Sequence, residues 1–259
     1  THDSPTQVMD IRIVSYNVLG FPWISTQIHD IVHWIVENTD ANIAVLQEVW
    51  CRHDVWASAF AAFAAKGWTL VRPTREAHIL GIFGSGLATA FRSDTWRLDD
   101  ARFYPFLSST GFDMFASKGW FRTVLTHVAT GRSVRIVNTH MQSDIETIKR
   151  WTIGYTEVVR RQQCLQLAEV ELNFPARQDS QTNPVAIIVG DFNTDQCWIP
   201  GASWLETDTG QTMEEVAVSL DHLVAVPSTV ELVSHRVARE INWSDHWPIV
   251  WHLQELSNS

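Results

Sequence analysis

Val185-Ala186-Ile187-Ile188-Val189 is apolar without a break and runs directly into Gly190-Asp191-Phe192-Asn193. A strand with one face in water alternates apolar and polar residues. An unbroken apolar run needs cover on both faces. The chain must therefore lay something over each side of at least one sheet. Ile43-Ala44-Val45-Leu46 has the same character and runs into Gln47-Glu48. Polar groups recur in this way at other run ends: Tyr16-Asn17, Thr139-His140 and Ser244-Asp245-His246-Trp247-Pro248. One such cluster would mean little. Carboxylates, amides and imidazoles at several strand ends are what a hydrolytic metal site needs.

The remaining pattern supplies the layers. Residues 11–16, 68–72 and 87–92 read as strands, and Ile28, Ile31, Val32, Ile35 and Val36 fall at helical spacing. Residues 53–65 form an Ala-rich helix, and residues 74–86 a loop carrying Ile79-Leu80-Gly81-Ile82-Phe83. Residues 119–128 and 133–139 are joined by Ala129-Thr130-Gly131-Arg132, which predicts a hairpin. Ile148, Trp151, Tyr155, Val158, Val159, Gln162 and Leu165 mark one face of a long helix. Residues 222–226, 229–234 and 248–253 give the last strands. The polar stretch 173–184 is too short for a domain linker, and no repeat is visible. Residues 1–259 read as one α/β domain, long enough for a sizeable core.

Composition narrows the partners. The net charge is -10 and no Lys/Arg cluster stands out. Binding to nucleic-acid phosphates calls for a basic face, so no stable nucleic-acid partner is expected, although bound divalent cations would offset local charge. No apolar run approaches the roughly 20 residues of a membrane helix. Three cysteines, Cys51, Cys164 and Cys197, make no disulfide framework. Either Cys51 and Cys197 pair, or all three are small apolar residues. The start at Thr1 fits a removed leader or a trimmed end.

The clusters carry distinct chemistry. Glu48, at a strand end, is a natural oxygen ligand for Mg²⁺, with Asn17 beside it. Gly190 lets the chain turn sharply, so that Asp191 and Asn193 face one centre while Phe192 enters the core. His140 could donate to a phosphate oxygen. His246 could take a proton from water, its ring oriented by Asp221 or Asp245.

The order Asn17, Glu48, His140, Asp191-Phe192-Asn193, Asp221, Asp245-His246 resembles the endonuclease/exonuclease/phosphatase (DNase I-like) superfamily over residues 11–253. The resemblance implies a four-layer sandwich, two mixed β-sheets flanked by helices. It also implies Mg²⁺-assisted attack of water on a phosphoester, with Mn²⁺, Co²⁺ and Ca²⁺ left open as substitutes. Three stretches look most like the neutral sphingomyelinase branch: Val45-Leu46-Gln47-Glu48-Val49-Trp50, Asp113-Met114-Phe115-Ala116-Ser117-Lys118-Gly119 and Thr139-His140-Met141-Gln142-Ser143-Asp144. Lys118 could hold a phosphate oxygen and offset charge in the transition state, with Asp113 positioning it or an adjacent turn. The chain departs from that branch in being short and in lacking a recognisable membrane hairpin. Asp221 is followed by His222 where many superfamily members have Tyr.

Phe21, Trp23, residues 79–83, Trp198 and Trp204 are candidates for an apolar rim. Such a rim suits a phospholipid at a membrane surface. The expectation is a monomeric, secreted or membrane-peripheral phosphodiesterase that cleaves sphingomyelin or a related lipid. The rival enzyme is a DNase I-like metal-dependent nuclease. The rival non-enzyme, a binding module with a dead site, fits poorly with a full set of carboxylates and both histidines.

Overall fold

A computed structural model describes residues 9–21, 27–50, 53–73, 84–144, 149–172, 185–195, 199–205, 210–214, 217–226 and 230–255. In chain order the elements are β1 (Asp10–Asn17), α1 (Ile28–Asn38), β2 (Ile43–Gln47), α2 (His53–Ala65), β3 (Trp68–Val71), β4 (Ala88–Arg92), β5 (Trp96–Pro105), β6 (Gly119–His127), β7 (Ser133–His140), α3 (Lys149–Leu172), β8 (Val185–Asp191), β9 (Ser203–Trp204), β10 (Asp221–Val226), β11 (Val230–Val237) and β12 (Ile249–Glu255). A short 3-10 turn, Gly111–Phe115, sits between β5 and β6.

The described strands form two six-stranded sheets, ordered β11-β12-β1-β2-β4-β3 and β5-β6-β7-β8-β10-β9. Each is mixed in the same way. One parallel pair at the centre, β1 with β2 and β7 with β8, is flanked by antiparallel neighbours. The α/β sandwich expected from the sequence is the observed fold.

Three apolar clusters mark the layers. Ile11, Ile13, Ile43, Val45, Ile136, Ile187, Val189 and Leu223 meet between the sheets. Val14, Leu46 and Ala88, from the opposite face of the first sheet, pack on Ile31 and Ile35 of α1 and on Phe63 of α2. Val137 and Ile188, from the outer face of the second sheet, pack on Cys164, Leu167 and Ala168 of α3. Each fully buried Ile, Leu or Val contributes roughly 1.5–3 kcal/mol, so both faces of both sheets are held. This double cover is what the unbroken apolar runs of β2 and β8 require.

Two features were not foreseen. β5 carries charges along its length (Arg97, Asp99, Asp100, Arg102) and alternates poorly, with a register shift between Leu98 and Asp100. It is an edge strand, half in water, so no clean period two marks it. Cys164 is buried beside Met141 and is disulfide-bonded. The reading of three ordinary apolar residues is therefore excluded, and Cys51 and Cys197 lie outside the described residues.

Candidate active site

Successive residues of a strand point to opposite faces, so every second residue lines the interior. On β1 the inward residues are Ile11 and Ile13, followed by Ser15 and Asn17. On β2 they are Ile43 and Val45, then Gln47, with Glu48 just past the strand end. On β7, Val134 and Ile136 give way to Asn138 and His140. On β8, Val185, Ile187 and Val189 give way to Asp191. β10 runs the other way, so its Asp221 precedes the inward Leu223 and Ala225 and pairs in register with Asp191. At one end of the sandwich the inter-sheet core thus changes from hydrocarbon to amides, imidazoles and carboxylates.

Local backbone serves this end. Gly190 has φ 141°, and a Cβ there would lie 2.2 Å from the Thr139 carbonyl oxygen. Only glycine lets β8 approach β7 so closely beside Asp191. Glu48 and Asn193 hold left-handed conformations, φ 57° and 54°. Asn tolerates this geometry readily, Glu rarely. The Glu48 turn is fixed by its carbonyl, which accepts from Gly20 N–H at 2.8 Å, and by Val49 N–H donating to Gly86 O at 2.8 Å. Phe192 turns into the core, as expected.

Eight of the nine residues singled out from the sequence form one connected group. Asn17 Nδ2 donates to Glu48 Oε1 (3.0 Å) and to Asp191 Oδ2 (2.9 Å). Its Oδ1 accepts from Leu19 N–H at 3.2 Å, so Asn17 braces the two carboxylates with its oxygen already engaged. His140 Nε2 lies 3.5 Å from Glu48 Oε1 and 3.6 Å from Asp191 Oδ2. Lys118 Nζ donates to His140 Nε2 at 2.5 Å and to Met141 O at 3.0 Å. Asn193 Nδ2 donates to the same carbonyl at 3.1 Å, and Asn193 N–H to Asp191 Oδ1 at 2.8 Å. His246 places Nδ1 2.8 Å from Asp221 Oδ2 and Nε2 3.7 Å from Asp191 Oδ2.

Asp245 is the ninth. It is partly exposed and accepts from Ser244 Oγ at 3.1 Å. The choice between Asp221 and Asp245 as the group that orients His246 therefore falls to Asp221.

Of the supporting layer around these residues, Asp113 was expected beside Lys118, whereas the parts played by Gln163 and His222 were not. Asp113, near Lys118 at 3.5 Å, accepts from Gln142 Nε2, Ser143 N–H and Ser143 Oγ at 2.7–2.9 Å. Gln163 on α3 accepts from Gln142 N–H at 3.0 Å. His222 Nε2 lies 2.7 Å from Thr194 O, and its ring stands edge-on to Phe192. The departure at His222 thus pins the turn after Asp191. Of the expected rim, Phe21 is half-buried and packs on Trp50 with ring centroids 4.7 Å apart. Trp50 in turn lies 6.0 Å from the His140 ring. Trp23, residues 79–83, Trp198 and the Trp204 side chain lie outside the described residues.

Electrostatics follow from this crowding. Burial pushes the Glu48 carboxyl up to about 7, against the pull of Lys118 and Asn17. Burial also raises Asp191 to about 6, with Asp221 adding to it and His246 opposing. His140 is held well below its ordinary value by burial, then by the Lys118 charge, so the ring is neutral and its Nε2 accepts from Lys118. Burial draws His246 down too, but Asp221 and Asp191 together hold it at about 10.

The donor set fits a divalent cation. Glu48, His140 and Asp191 offer ligand atoms within 4.8 Å of one another, as do Asp191, Asp221 and His246. Glu48 Oε2 is buried with no hydrogen-bond partner among the described residues, a cost that a cation would remove. Oxygen-rich ligation with one imidazole suits Mg²⁺ or Mn²⁺. Glu48 and Asp191 are raised above their unfolded values, so protons compete with the cation. Cation affinity should then rise with pH through about 6 to 7 and level off above it. Mn²⁺ titrations across that range measure this, and a flat profile would contradict the assigned ligands.

A sequence model of the Endonuclease/Exonuclease/phosphatase family matches residues 14–246. No curated protein matches in sequence. Among solved structures, an endonuclease/exonuclease/phosphatase family protein of Bacteroides thetaiotaomicron superposes with a TM-score of 0.71 at 16% identity, covering 96% of this chain and 99% of that one. Sphingomyelinase C of Streptomyces griseocarneus gives 0.69 at 16%, covering 94% and 99%. D. rerio TDP2, complexed with a single-strand DNA product, gives 0.69 at 13%, covering 94% and 98%.

Proposed function

Because the chain belongs to the endonuclease/exonuclease/phosphatase family, a family of divalent-metal-dependent phosphoester hydrolases, we propose that it is a Mg²⁺-dependent phosphodiesterase acting on sphingomyelin or a related phospholipid. The products are ceramide or diacylglycerol and a phosphorylated head group. Residues 1–259 act as one domain, and the enzyme works as a monomer at a membrane surface.

Glu48 and Asp191 would hold the cation, with His140 Nε2 facing the same point and Asn17 bracing both carboxylates. The cation supplies Lewis-acid polarisation of the phosphoryl group. His246 Nε2 takes the proton from the attacking water, while Asp221 holds Nδ1 and with it the ring. As it stands, His246 carries a proton at neutral pH because Asp221 and Asp191 favour its charged form. A cation held by Asp191 would offset part of that carboxylate's pull on the His246 proton, leaving Asp221 to orient the ring. Lys118 and Asn193 stabilise the charge that builds on the phosphoryl oxygens.

Lys118 carries the choice of a lipid diester. It is a buried ammonium, 2% exposed, beside His140 and tied to the Asp113 segment that resembles the neutral sphingomyelinase branch. The Phe21–Trp50 aromatic wall leading to His140 and the net charge of -10 support a lipid over a polyanion. The disulfide at Cys164 fits an oxidising, extracytoplasmic setting. No helix among the described residues is long and apolar enough to cross a membrane, which accords with peripheral binding. The nuclease alternative draws on the family itself and on the fold shared with TDP2.

Lys118→Ala tests the lipid reading. The contact with the phosphoryl oxygens strengthens in the transition state, so kcat on sphingomyelin vesicles should fall by about 10²-fold or more while vesicle binding stays near the parent value. Unchanged turnover would reduce Lys118 to a structural cation.

A further inference from the structure

The site is divided between two sheets that share no backbone ladder. Glu48 and Asn17 belong to the first sheet, whereas His140 and Asp191 belong to the second. Below them the sheets meet through Ile, Val and Leu side chains. Hydrophobic contact is non-directional and sets separation only loosely. A cation site needs its ligands within a few tenths of an ångström. Something directional must hold the two halves in register.

Asn138 meets that need. It lies on β7 two residues before His140 and is fully buried. Its Nδ2 donates across the sandwich to two backbone carbonyls of the first sheet, Leu46 O at 3.0 Å and Ala88 O at 2.9 Å. Leu46 and Ala88 are the last register pair of β2 with β4. Asn138 Oδ1 accepts from Gln47 Nε2 at 2.8 Å, and Gln47, also fully buried, reaches Ser15 Oγ of β1 at 3.3 Å. Both amide N–H donors and the amide oxygen of Asn138 are therefore engaged with the other sheet. The contacts fall on residues one and two positions before Glu48 on one side, and two positions before His140 on the other. Asparagine alone fits this pattern. Aspartate lacks both donors and would set a charge against two carbonyls, and leucine matches the volume but makes none of the three bonds.

We infer that Asn138, together with Gln47, is a positioning device that sets the spacing between Glu48 and the His140–Asp191 pair, and thereby the affinity of the cation site. The inference rests on the metal reading above but not on the choice of substrate. Residues that orient ligands without touching the metal typically change its affinity about 10–100-fold when altered.

The test uses Mn²⁺ as the probe, with free ion counted by electron paramagnetic resonance at a temperature well below unfolding. Asn138→Leu should bind Mn²⁺ at least about tenfold more weakly than the parent. Its kcat should fall, and raised Mn²⁺ should recover part of the loss, with KM for substrate little changed. Gln47→Met removes the Gln47 bonds to Asn138 and Ser15 at similar volume but leaves the two from Asn138 Nδ2, and guards against an Asn138→Leu chain that does not fold. It should shift the Mn²⁺ Kd in the same direction by less, with a melting temperature near the parent's. Parent-like Mn²⁺ affinity in either folded variant overturns the clamp and leaves the metal reading intact. A parent chain that binds no divalent cation overturns the metal reading and the clamp with it.

Discussion

Glu48→Gln is expected to abolish divalent-cation binding in the micromolar to millimolar range and to cut turnover by several orders of magnitude, with the fold retained. The change removes one negative charge and substitutes an amide of the same shape. Glu48 is the only carboxylate that the first sheet brings to the ligand group among the described residues. In the unligated protein its Oε2 has no hydrogen-bond partner among them, and burial already favours its neutral form. A neutral amide at this position should therefore leave the cation-free protein as stable as the parent, or more so above about pH 7. The sign follows from the raised carboxyl. Its neutral form is favoured by folding, so that contribution is full below the unfolded value of 4.5 and is lost as pH rises through about 7. Circular dichroism melts in chelator, beside cation titration and turnover, separate the effects. A Glu48→Gln enzyme with parent turnover in chelator-treated buffer would remove the metal mechanism.

His246→Ala should lose about 10²–10⁴-fold in kcat while still binding the cation through Glu48 and Asp191. The ring is 4% exposed and is held between Asp221 at 2.8 Å and Asp191 at 3.7 Å. Its removal takes away the one imidazole that the second carboxylate triad contains. It also relieves Asp191 of a neighbouring positive charge, so the Asp191 carboxyl should move further up from about 6. Cation binding in the variant should then shift to higher pH while the chemical step loses its base. The measurement is a pair of pH profiles, one of kcat and one of cation affinity. A kcat profile that keeps the parent's shape and height would transfer the base to another residue.

Much of this was legible because the strands that build the site announce their ends. On β2, β7 and β8 the inward row is Ile and Val until the final one or two positions, and then turns polar. Local sequence carries that signal unaided. Helices α1 and α2 and the β6–β7 hairpin were equally plain, from their period and their turn residues. β5 was missed because an edge strand half in water need not alternate. The choice of Asp221 over Asp245 was open because sequence adjacency favours Asp245, whereas it is Asp221, from β10, that the fold brings to the ring while Asp245 turns to Ser244. Gln47 and Gln142 stood out only as parts of strand-end motifs and Asn138 read as an ordinary polar residue, since nothing in a sequence says which sheet an amide will reach across to. The Cys164 disulfide was missed because pairing depends on distance in the fold, and its α3 position showed no neighbouring motif.

We propose that this site cleaves a lipid phosphodiester with the help of a divalent cation. Phosphorylated head-group release from sphingomyelin vesicles, run beside nicking of supercoiled plasmid, each with Mg²⁺ and with chelator, tests it most directly. The expected result is Mg²⁺-dependent head-group release that chelator stops, with plasmid left intact. Efficient plasmid nicking with sphingomyelin untouched would contradict the lipid assignment, and release that persists undiminished in chelator would contradict the metal site itself.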